Sequence, residues 1–307
     1  MKKNNLKGSL ILCTAALIWG LAFSAQSAAA KYLGSFTINF LRSVIGAVFL
    51  FIFIKIKDFK SKTHFFPNDK NGRANLIKGG VICGTALAVA ANLQQFGIGA
   101  FPEGVASEAR AGFITALYVI LVPIATAFSG KKIDLAVWTG VIIAILGIYM
   151  LCFSGGFSGI YTGDILLFLC AVSFTVHILT VDRLGAGVDG VKLSCIQFAV
   201  CGIISGVLAF IFETVRISDI ISALPPLLYI GVMSSGVAYT LQIVGQKYAE
   251  PPVASISMSL ESVFAALGGW LVSGNVLSVR EICGCTLVFA AIILAQLPQF
   301  KNRKKAV

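Results

Sequence analysis

Apolar runs of about 20 residues recur along almost the whole chain. An α-helix rises about 1.5 Å per residue, so a run of this length crosses the roughly 30 Å hydrocarbon core of a bilayer. Ten such runs are predicted as membrane spans, at about 8–30, 36–54, 76–99, 104–128, 135–153, 163–181, 191–212, 224–245, 252–273 and 280–297. They use most of the 307 residues and leave no room for a soluble domain.

The composition also indicates an integral membrane protein. Of the residues, 57% are hydrophobic and 12% are charged, whereas a soluble domain has about 25% charged residues. The formal net charge of +11 would suggest nucleic acid in a soluble protein, but the basic residues lie between the apolar runs. We therefore expect no nucleic-acid partner. The first run is too long for a secretory signal and should stay in the mature protein.

The distribution of lysine and arginine predicts the orientation, because cytoplasmic loops hold these residues in excess. With the N-terminus inside, most of the 24 basic residues fall on the cytoplasmic side. Lys31, Arg216 and Arg280 fall outside, and Arg42 and Arg110 fall within spans. The sequence thus predicts a multi-pass protein of the inner or plasma membrane with both termini cytoplasmic.

An internal duplication divides the chain into two halves. Residues 8–19 match residues 163–174 without a gap, Gly80-Val81 match Gly231-Val232, and 105–107 match 253–255. The matches predict two repeats of five spans, 1–155 and 156–307. Because five is odd, the second repeat would enter the membrane from the opposite face. Inverted repeats are typical of secondary transporters whose substrate site lies near the midplane.

Four motifs resemble the EamA branch of the drug/metabolite transporter superfamily: Ala16–Gly20, Phe40–Arg42, Gly112–Ile124 and Leu260–Leu267. The resemblance covers essentially the whole chain. It implies an all-α integral membrane fold of ten transmembrane helices that moves small metabolites or amino acids by alternating access. Family members often have proline where this chain has Ser262, so a proline kink beside Glu261 is not carried over.

Ionisable residues within the spans are candidates for function, because a charge at the bilayer centre costs about 2.5–3.5 kcal/mol on insertion scales. Glu261 lies about 13 Å into its span by helical rise and is predicted to contact a substrate amine or to carry a proton; the alternative is packing alone. His177 and Glu108 are the other proton-coupling candidates. Arg42 could pair with Glu108. Two interpretations stay open for Arg42 and Arg110. Each forms a salt bridge or reaches toward water at the edge of its span, or one of them binds a substrate carboxylate.

Polar side chains at helical spacing, and aromatic residues near the middle of their spans, predict a cavity lining. Such residues also pack against neighbouring helices or form interhelical hydrogen bonds in membrane proteins, and that alternative stays open. A stripe on span eight, which ends at Gln246, is expected to face a stripe on span three. The predicted substrate-binding residues are Trp19, Phe23, Asn92, Gln95, Tyr118, Phe174, His177, Tyr239, Gln242, Ser257 and Glu261.

The sequence therefore predicts a secondary transporter that exports a small metabolite, such as an amino acid or an amine. Its partners would be that small molecule and membrane lipid, as a monomer or homodimer. The eight cysteines are scattered without a Cys-x-x-Cys pair, so no metal and no cofactor are expected. Common hydrolase and nucleotide motifs are missing, which argues against an enzyme. A lipid or head-group flippase and an integral-membrane transferase are the alternatives.

Overall fold

The computed structural model describes residues 5–101, 107–152, 160–273 and 278–304. Within these ranges the chain is helical apart from short connections, and it contains no strand. The first half comprises α1 Asn5–Ala30, α2 Ser35–Ser61, α3 Lys70–Gly99, α4 Ser107–Thr115, α5 Tyr118–Phe128 and α6 Leu135–Cys152. The second half comprises α7 Thr162–Leu184, α8 Gly190–Phe212, α9 Ile217–Ser222, α10 Leu224–Leu228, the π-helix π1 Tyr229–Ala238, α11 Tyr239–Gln246, α12 Pro251–Met258, α13 Leu260–Ser273 and α14 Val279–Lys304.

Seven helical stretches in the described ranges are long and apolar enough to cross a membrane: Asn5–Ala30, Ser35–Ser61, Lys70–Gly99, Ala111–Phe128, Thr162–Leu184, Gly190–Phe212 and Leu224–Gln246. Leu135–Met150 and Ile282–Ala295 are shorter apolar helices. Large apolar side chains such as Phe53, Ile203 and Phe210 are exposed on these helices. A bilayer would cover such side chains. The chain is an all-helical, multi-pass membrane protein.

The predicted fourth and ninth spans are each interrupted near the middle. Between α4 and α5, the N–H of Leu117 donates to the carbonyl of Ile114 at 3.1 Å, a bond three residues back instead of four. Between α12 and α13, the N–H of Ser262 makes the same kind of bond to Ser259 at 3.2 Å. The ninth span was predicted as one helix. The break at Ser259 lies two residues before Glu261, although no proline is present there.

The predicted eighth span contains a wide turn. Residues of π1 bond five residues back, which accommodates an extra residue per turn and often marks a functional segment. Tyr229, at the start of π1, donates its hydroxyl to the carbonyl of Ile18 in α1 at 2.9 Å. π1 therefore packs directly on α1, and it presents Ser234 and Ser235 to the interior.

Glycines let the helix backbones approach closely. A Cβ on Gly84 of α3 would lie 2.7 Å from the carbonyl oxygen of Gln197 and 2.7 Å from the Cβ of Val200, both in α8. A Cβ on Gly8 of α1 would lie 2.9 Å from the carbonyl oxygen of Gly245 in α11. Such contacts are closer than real side chains allow, so these positions require glycine. Small residues serve this purpose generally between helices in lipid.

A network of charged groups joins helices at one end of the bundle. Lys192 of α8 is paired with Asp58 of α2 at 3.1 Å, and both side chains are largely buried. Lys192 also donates to the carbonyl of His64 at 2.5 Å. Lys57 pairs with Asp189 at 3.3 Å, but this pair is partly exposed and contributes little stability. The network joins the end of α2 to the start of α8.

Asp189 caps the first turn of α8 at this end. Its carboxylate accepts bonds from the N–H groups of Val191 and Lys192 at 2.9 and 3.2 Å. Burial by itself would raise the pKa of Asp189, but these two N–H groups and the Lys57 ammonium together hold that pKa below its ordinary value. Asp189 is therefore charged at neutral pH and favours the helix N-terminus electrostatically.

We expect Gly84→Ala to lower the free energy of unfolding by about 1–3 kcal/mol, because the added methyl group meets the α8 backbone. The measurement is thermal unfolding in detergent. The control is Gly187→Ala, since a Cβ on Gly187 would have no neighbour within 4 Å. Equal melting temperatures for the two variants would contradict the packing argument.

Candidate functional site

A cavity lies among the helices. Its lining comes from both halves of the chain. The lining residues are Trp19, Ala22, Phe23, Gln26, Arg42, Gln94, Thr115, Tyr118, Phe174, Ile178, Ser234, Tyr239, Gln242, Met258 and Glu261.

Many of the residues that the sequence predicted for substrate binding share this cavity. They come from α1, α5, α7, α11 and α13, which are far apart in the sequence. The structure brings together Trp19, Phe23, Tyr118, Phe174, Tyr239, Gln242 and Glu261. Their roles in binding stay a prediction.

Asn92 and Ser257 were predicted for the site but do not line the cavity. Asn92 donates to the hydroxyl of Ser205 at 2.9 Å and to the carbonyl of Ala88 at 2.8 Å. Ser257 donates to the hydroxyl of Ser9 at 2.7 Å. These polar groups have hydrogen-bond partners at contacts between helices. Interhelical hydrogen bonding is the alternative that the sequence left open.

His177 and Gln95 also lie outside the cavity lining. His177 is fully buried, with its Nε2 3.2 Å from the Oε1 of Gln197 in α8. Its ring centroid is 6.1 Å from that of Tyr239, so it lies behind a cavity residue. Gln95 is fully buried in α3. Of the two predicted stripes, Tyr239 and Gln242 line the cavity, whereas Gln95 and Gln246 do not, and Gln246 donates to the carbonyl of Ile178.

Two further predicted residues lie outside the described side chains. Glu108 and Arg110 belong to α4, but the structure describes only their backbone. The proton-coupling role of Glu108 and its pairing with Arg42 therefore stay predictions. The described partners of Arg42 are neutral.

Glu261 meets Tyr118 where two interrupted spans face each other. The hydroxyl of Tyr118, the first residue of α5, donates to the Oε1 of Glu261 at 3.1 Å. Glu261 is the second residue of α13 and is 6% exposed. Interrupted helices near the middle of a membrane are the typical position of substrate and ion sites in transporters. The pair therefore joins the two breaks at the cavity wall.

Aromatic rings form another part of the cavity wall. The rings of Trp19 and Tyr239 pack edge to face, with centroids 4.8 Å apart at 65°. Phe198 supports Tyr239 from behind, with centroids 5.4 Å apart. The indole N–H of Trp19 has no hydrogen-bond partner in the described part of the chain. This surface can pack against an apolar body or a cationic group.

Arg42 is a cavity residue that the predicted substrate-binding set omitted. Its Nε donates to Ser235 at 3.2 Å, its Nη1 to the Oε1 of Gln26 at 3.1 Å and its Nη2 to Ser234 at 2.9 Å. Arg42 is 5% exposed. These three bonds fix the position of the guanidinium between α1, α2 and π1. Sequence reasoning left open a rim contact or binding of a substrate carboxylate for Arg42, because it could not show that π1 brings two hydroxyl groups to it.

Gln26, Gln94, Thr115 and Ser234 also line the cavity and were not predicted. A signal was available for Gln26, since it follows Phe23 by three residues on the same face of α1. Gln94 and Gln95 are neighbours that point about 100° apart on a helix. The amide of Gln94 reaches toward Thr115 at 3.5 Å. The sequence argument named Gln95, whereas the structure places Gln94 in the cavity lining.

The described residues contain no group of three His, Cys, Asp or Glu side chains that could hold a metal ion. The described cysteines are free thiols; Cys170 is buried behind the cavity, in the same apolar cluster as Phe174 and Tyr239. The cavity chemistry of the described residues is therefore one of hydrogen bonds, aromatic rings and two ionisable groups, Arg42 and Glu261.

Comparisons with known proteins agree with the helical membrane fold. The model of the EamA-like transporter family matches residues 6–153 and again residues 161–297. The chain belongs to the EamA-like transporter family. The resemblance seen in the motifs is confirmed, and it identifies this chain as a member of the drug/metabolite transporter superfamily. Membership supports a membrane transporter acting on a small molecule.

Two relatives extend this comparison. A protein of Archaeoglobus fulgidus, named as an uncharacterized transporter, is 29% identical over 293 residues, which are 95% of this chain and 86% of that protein. A crystal structure of another protein aligns over 94% of this chain and 98% of its own, with a TM-score of 0.73 and 18% identity. At that identity the second likeness shows the fold alone. EamA-like membership thus favours a transporter over an enzyme.

We expect Tyr118→Phe to lower the free energy of unfolding by about 1–3 kcal/mol, because Glu261 loses its hydrogen-bond donor inside the protein. Thermal unfolding in detergent measures this change. Tyr32→Phe is the matched control, since Tyr32 is 51% exposed. If both variants unfold at the wild-type temperature, the Tyr118–Glu261 bond does not stabilise the site.

Proposed function

We propose that the chain is a secondary transporter that exports a small metabolite across the cytoplasmic membrane. In this proposal ten membrane spans form two inverted repeats, 1–155 and 156–307, and the substrate binds in the cavity between them. The observation that carries the proposal is the cavity itself. It is enclosed by elements of both halves, and Glu261 lies at its wall between two interrupted spans.

Matched packing contacts support the inverted repeat. A Cβ on Gly80 would lie 2.6 Å from the Cβ of Ile196, and a Cβ on Gly231 would lie 2.7 Å from the Cβ of Ile45. Gly231 and Gly80 are 151 residues apart (231 − 80), and so are Ile196 and Ile45 (196 − 45). Each half thus packs a glycine against an isoleucine of the other half, and the two pairs occupy equivalent positions in the repeats.

A second pair of contacts repeats this exchange. A Cβ on Gly245 would lie 2.7 Å from the Cγ of Leu12, and a Cβ on Gly97 would lie 2.7 Å from the Cγ of Leu167. Leu12 and Leu167 are 155 residues apart (167 − 12), the offset seen at the start of the two repeats. The reciprocal contacts favour a two-fold relation between the halves. The family model, which matches the chain twice, agrees with it.

The charged network suggests how alternating access operates. It closes the bundle at the end where Asp58 meets Lys192, which the lysine distribution predicts to be cytoplasmic. The cavity would then open alternately to the two sides of the membrane as the two halves rock about it. Glu261 would bind the amine of an amino acid or related compound, or carry a proton that couples transport.

Topology labelling tests the inverted arrangement. Single cysteines placed at the two termini, and at Arg216 between the α8 and α9 helices, are labelled from outside intact cells with a membrane-impermeant maleimide. The background is a chain whose native cysteines are replaced. We expect labelling at position 216 and none at the termini unless the cells are opened. Termini on opposite sides of the membrane would overturn the ten-span proposal.

We expect Glu261→Gln to abolish the pH dependence of transport, because glutamine keeps the size of the side chain and loses the proton. The measurement is uptake by proteoliposomes of a panel of radiolabelled amino acids and amines, with and without a pH gradient. The matched control is Glu250→Gln, an exposed residue just before α12, which should behave as wild type. Unchanged rate and pH dependence in Glu261→Gln would rule out proton coupling by this residue.

A further inference from the structure

Arg42 carries a positive charge that the described protein does not neutralise. Its three hydrogen-bond partners are the amide oxygen of Gln26 and the hydroxyls of Ser234 and Ser235, all of them neutral. Among the side chains that the structure describes, no carboxylate forms an ion pair with Arg42. A charge at membrane depth is costly, so an arginine whose described partners are all neutral is a candidate for function.

We infer that Arg42 binds a carboxylate group of the transported molecule. This inference rests on the proposed function, because it takes the cavity as the site where substrate binds. It adds the class of substrate: a small organic acid or amino acid with one carboxylate near Arg42 and an apolar body. The following geometry supports it.

The guanidinium retains hydrogen-bonding capacity, since not all of its N–H groups are used. Arginine has five N–H groups, and three bonds are made, one from each nitrogen. One N–H therefore remains on Nη1 and one on Nη2. Arg42 lines the cavity, so a ligand there can reach it. A carboxylate accepts from such a planar group through its two oxygens, which makes this a strong and directional contact.

The three existing bonds also prepare Arg42 for this role. They come from α1 and π1, on two sides of the side chain, and they hold the guanidinium without cancelling its charge. A long side chain that is already fixed loses little further freedom when a ligand arrives. Gln26, Ser234 and Ser235 are thus positioning residues for Arg42.

The charge balance favours a carboxylate over a phosphate ester. Arg42 is the one basic side chain among the described lining residues, and Glu261 adds an acidic group to the same lining. A phosphate ester brings a charge of about −1.5 to −2 at neutral pH, which one arginine leaves uncompensated. A carboxylate brings a single negative charge and matches Arg42.

Glu261 does not neutralise Arg42 itself. Its carboxyl accepts from Tyr118, and no ion pair links these two described side chains. The rest of the lining is largely apolar or aromatic, as at Trp19, Phe23 and Met258. The cavity therefore suits an apolar body that carries its carboxylate to the α2 side.

The test compares acids with their neutral amides on the purified full-length protein in detergent. The probes are 3-phenylpropionate, L-phenylalanine and L-leucine, each beside its carboxamide, with 2-phenylethylamine and phenyl phosphate added. Binding is measured by calorimetry and by the shift in melting temperature. We expect at least one acid to bind at least about tenfold more tightly than its amide, and Arg42→Gln to weaken that acid by about 10- to 100-fold.

Two variants keep the result interpretable. Arg183→Gln removes an exposed arginine at the end of α7 and should leave acid binding unchanged. Arg42→Lys keeps the charge but loses the planar donor pair, so it should weaken acid binding and retain the fold if Arg42→Gln does not fold. The inference is overturned if no acid is distinguished from its amide, if phenyl phosphate binds more tightly than every acid, or if both Arg42 variants bind acids as wild type does.

Transport by the same protein separates the two proposals. If proteoliposomes take up amines or amides and no acid is bound or transported, the transport function is supported. The assignment of Arg42 as a carboxylate site is then wrong. Acid binding that Arg42→Gln abolishes, without flux of any probe, would keep the Arg42 site and count against the transport function.

Discussion

The inability of lipid tails to form hydrogen bonds determines most of what this structure does with its polar groups. Any donor or acceptor on the described spans must find a partner inside the protein or face a cavity. Asn92 and Ser257 find partners at helix contacts. Arg42 and Glu261 also have hydrogen-bond partners. At the cavity, these groups border open space as well as protein.

Close backbone contact follows from the same environment. Without a hydrophobic driving force between helices in lipid, association depends on close packing and on hydrogen bonds. Gly84 and Gly245 provide the close contacts, and the buried pair of Asp58 and Lys192 ties the helices at one end. The helices thus approach most closely at glycines and are joined at one end by a buried ion pair.

The sequence predicted the helical membrane fold and the family, because run length and motif spacing are local properties. It also identified Trp19, Tyr239 and Glu261 as residues that prove to share one cavity. It failed where the answer depends on helix rotation. Gln94 and Gln95 are equally polar, and their helix turns Gln94 toward the cavity. Arg42 was underestimated because its partners come from π1, a local distortion that hydropathy does not reveal.

The wide turn of π1 also limits how this region can change. It lies between α10 and α11, with Ser234 inside it and Gln242 after it, both at the cavity. Each residue of a helix turns the chain by about 100°. Ser234 and Ser235 are consecutive residues of π1 and both accept from Arg42, so deleting one residue there would move a hydroxyl away from the guanidinium. Insertions and deletions in this stretch should therefore be rare among functional descendants, and so should a larger side chain at Gly231, whose Cβ would meet Ile45.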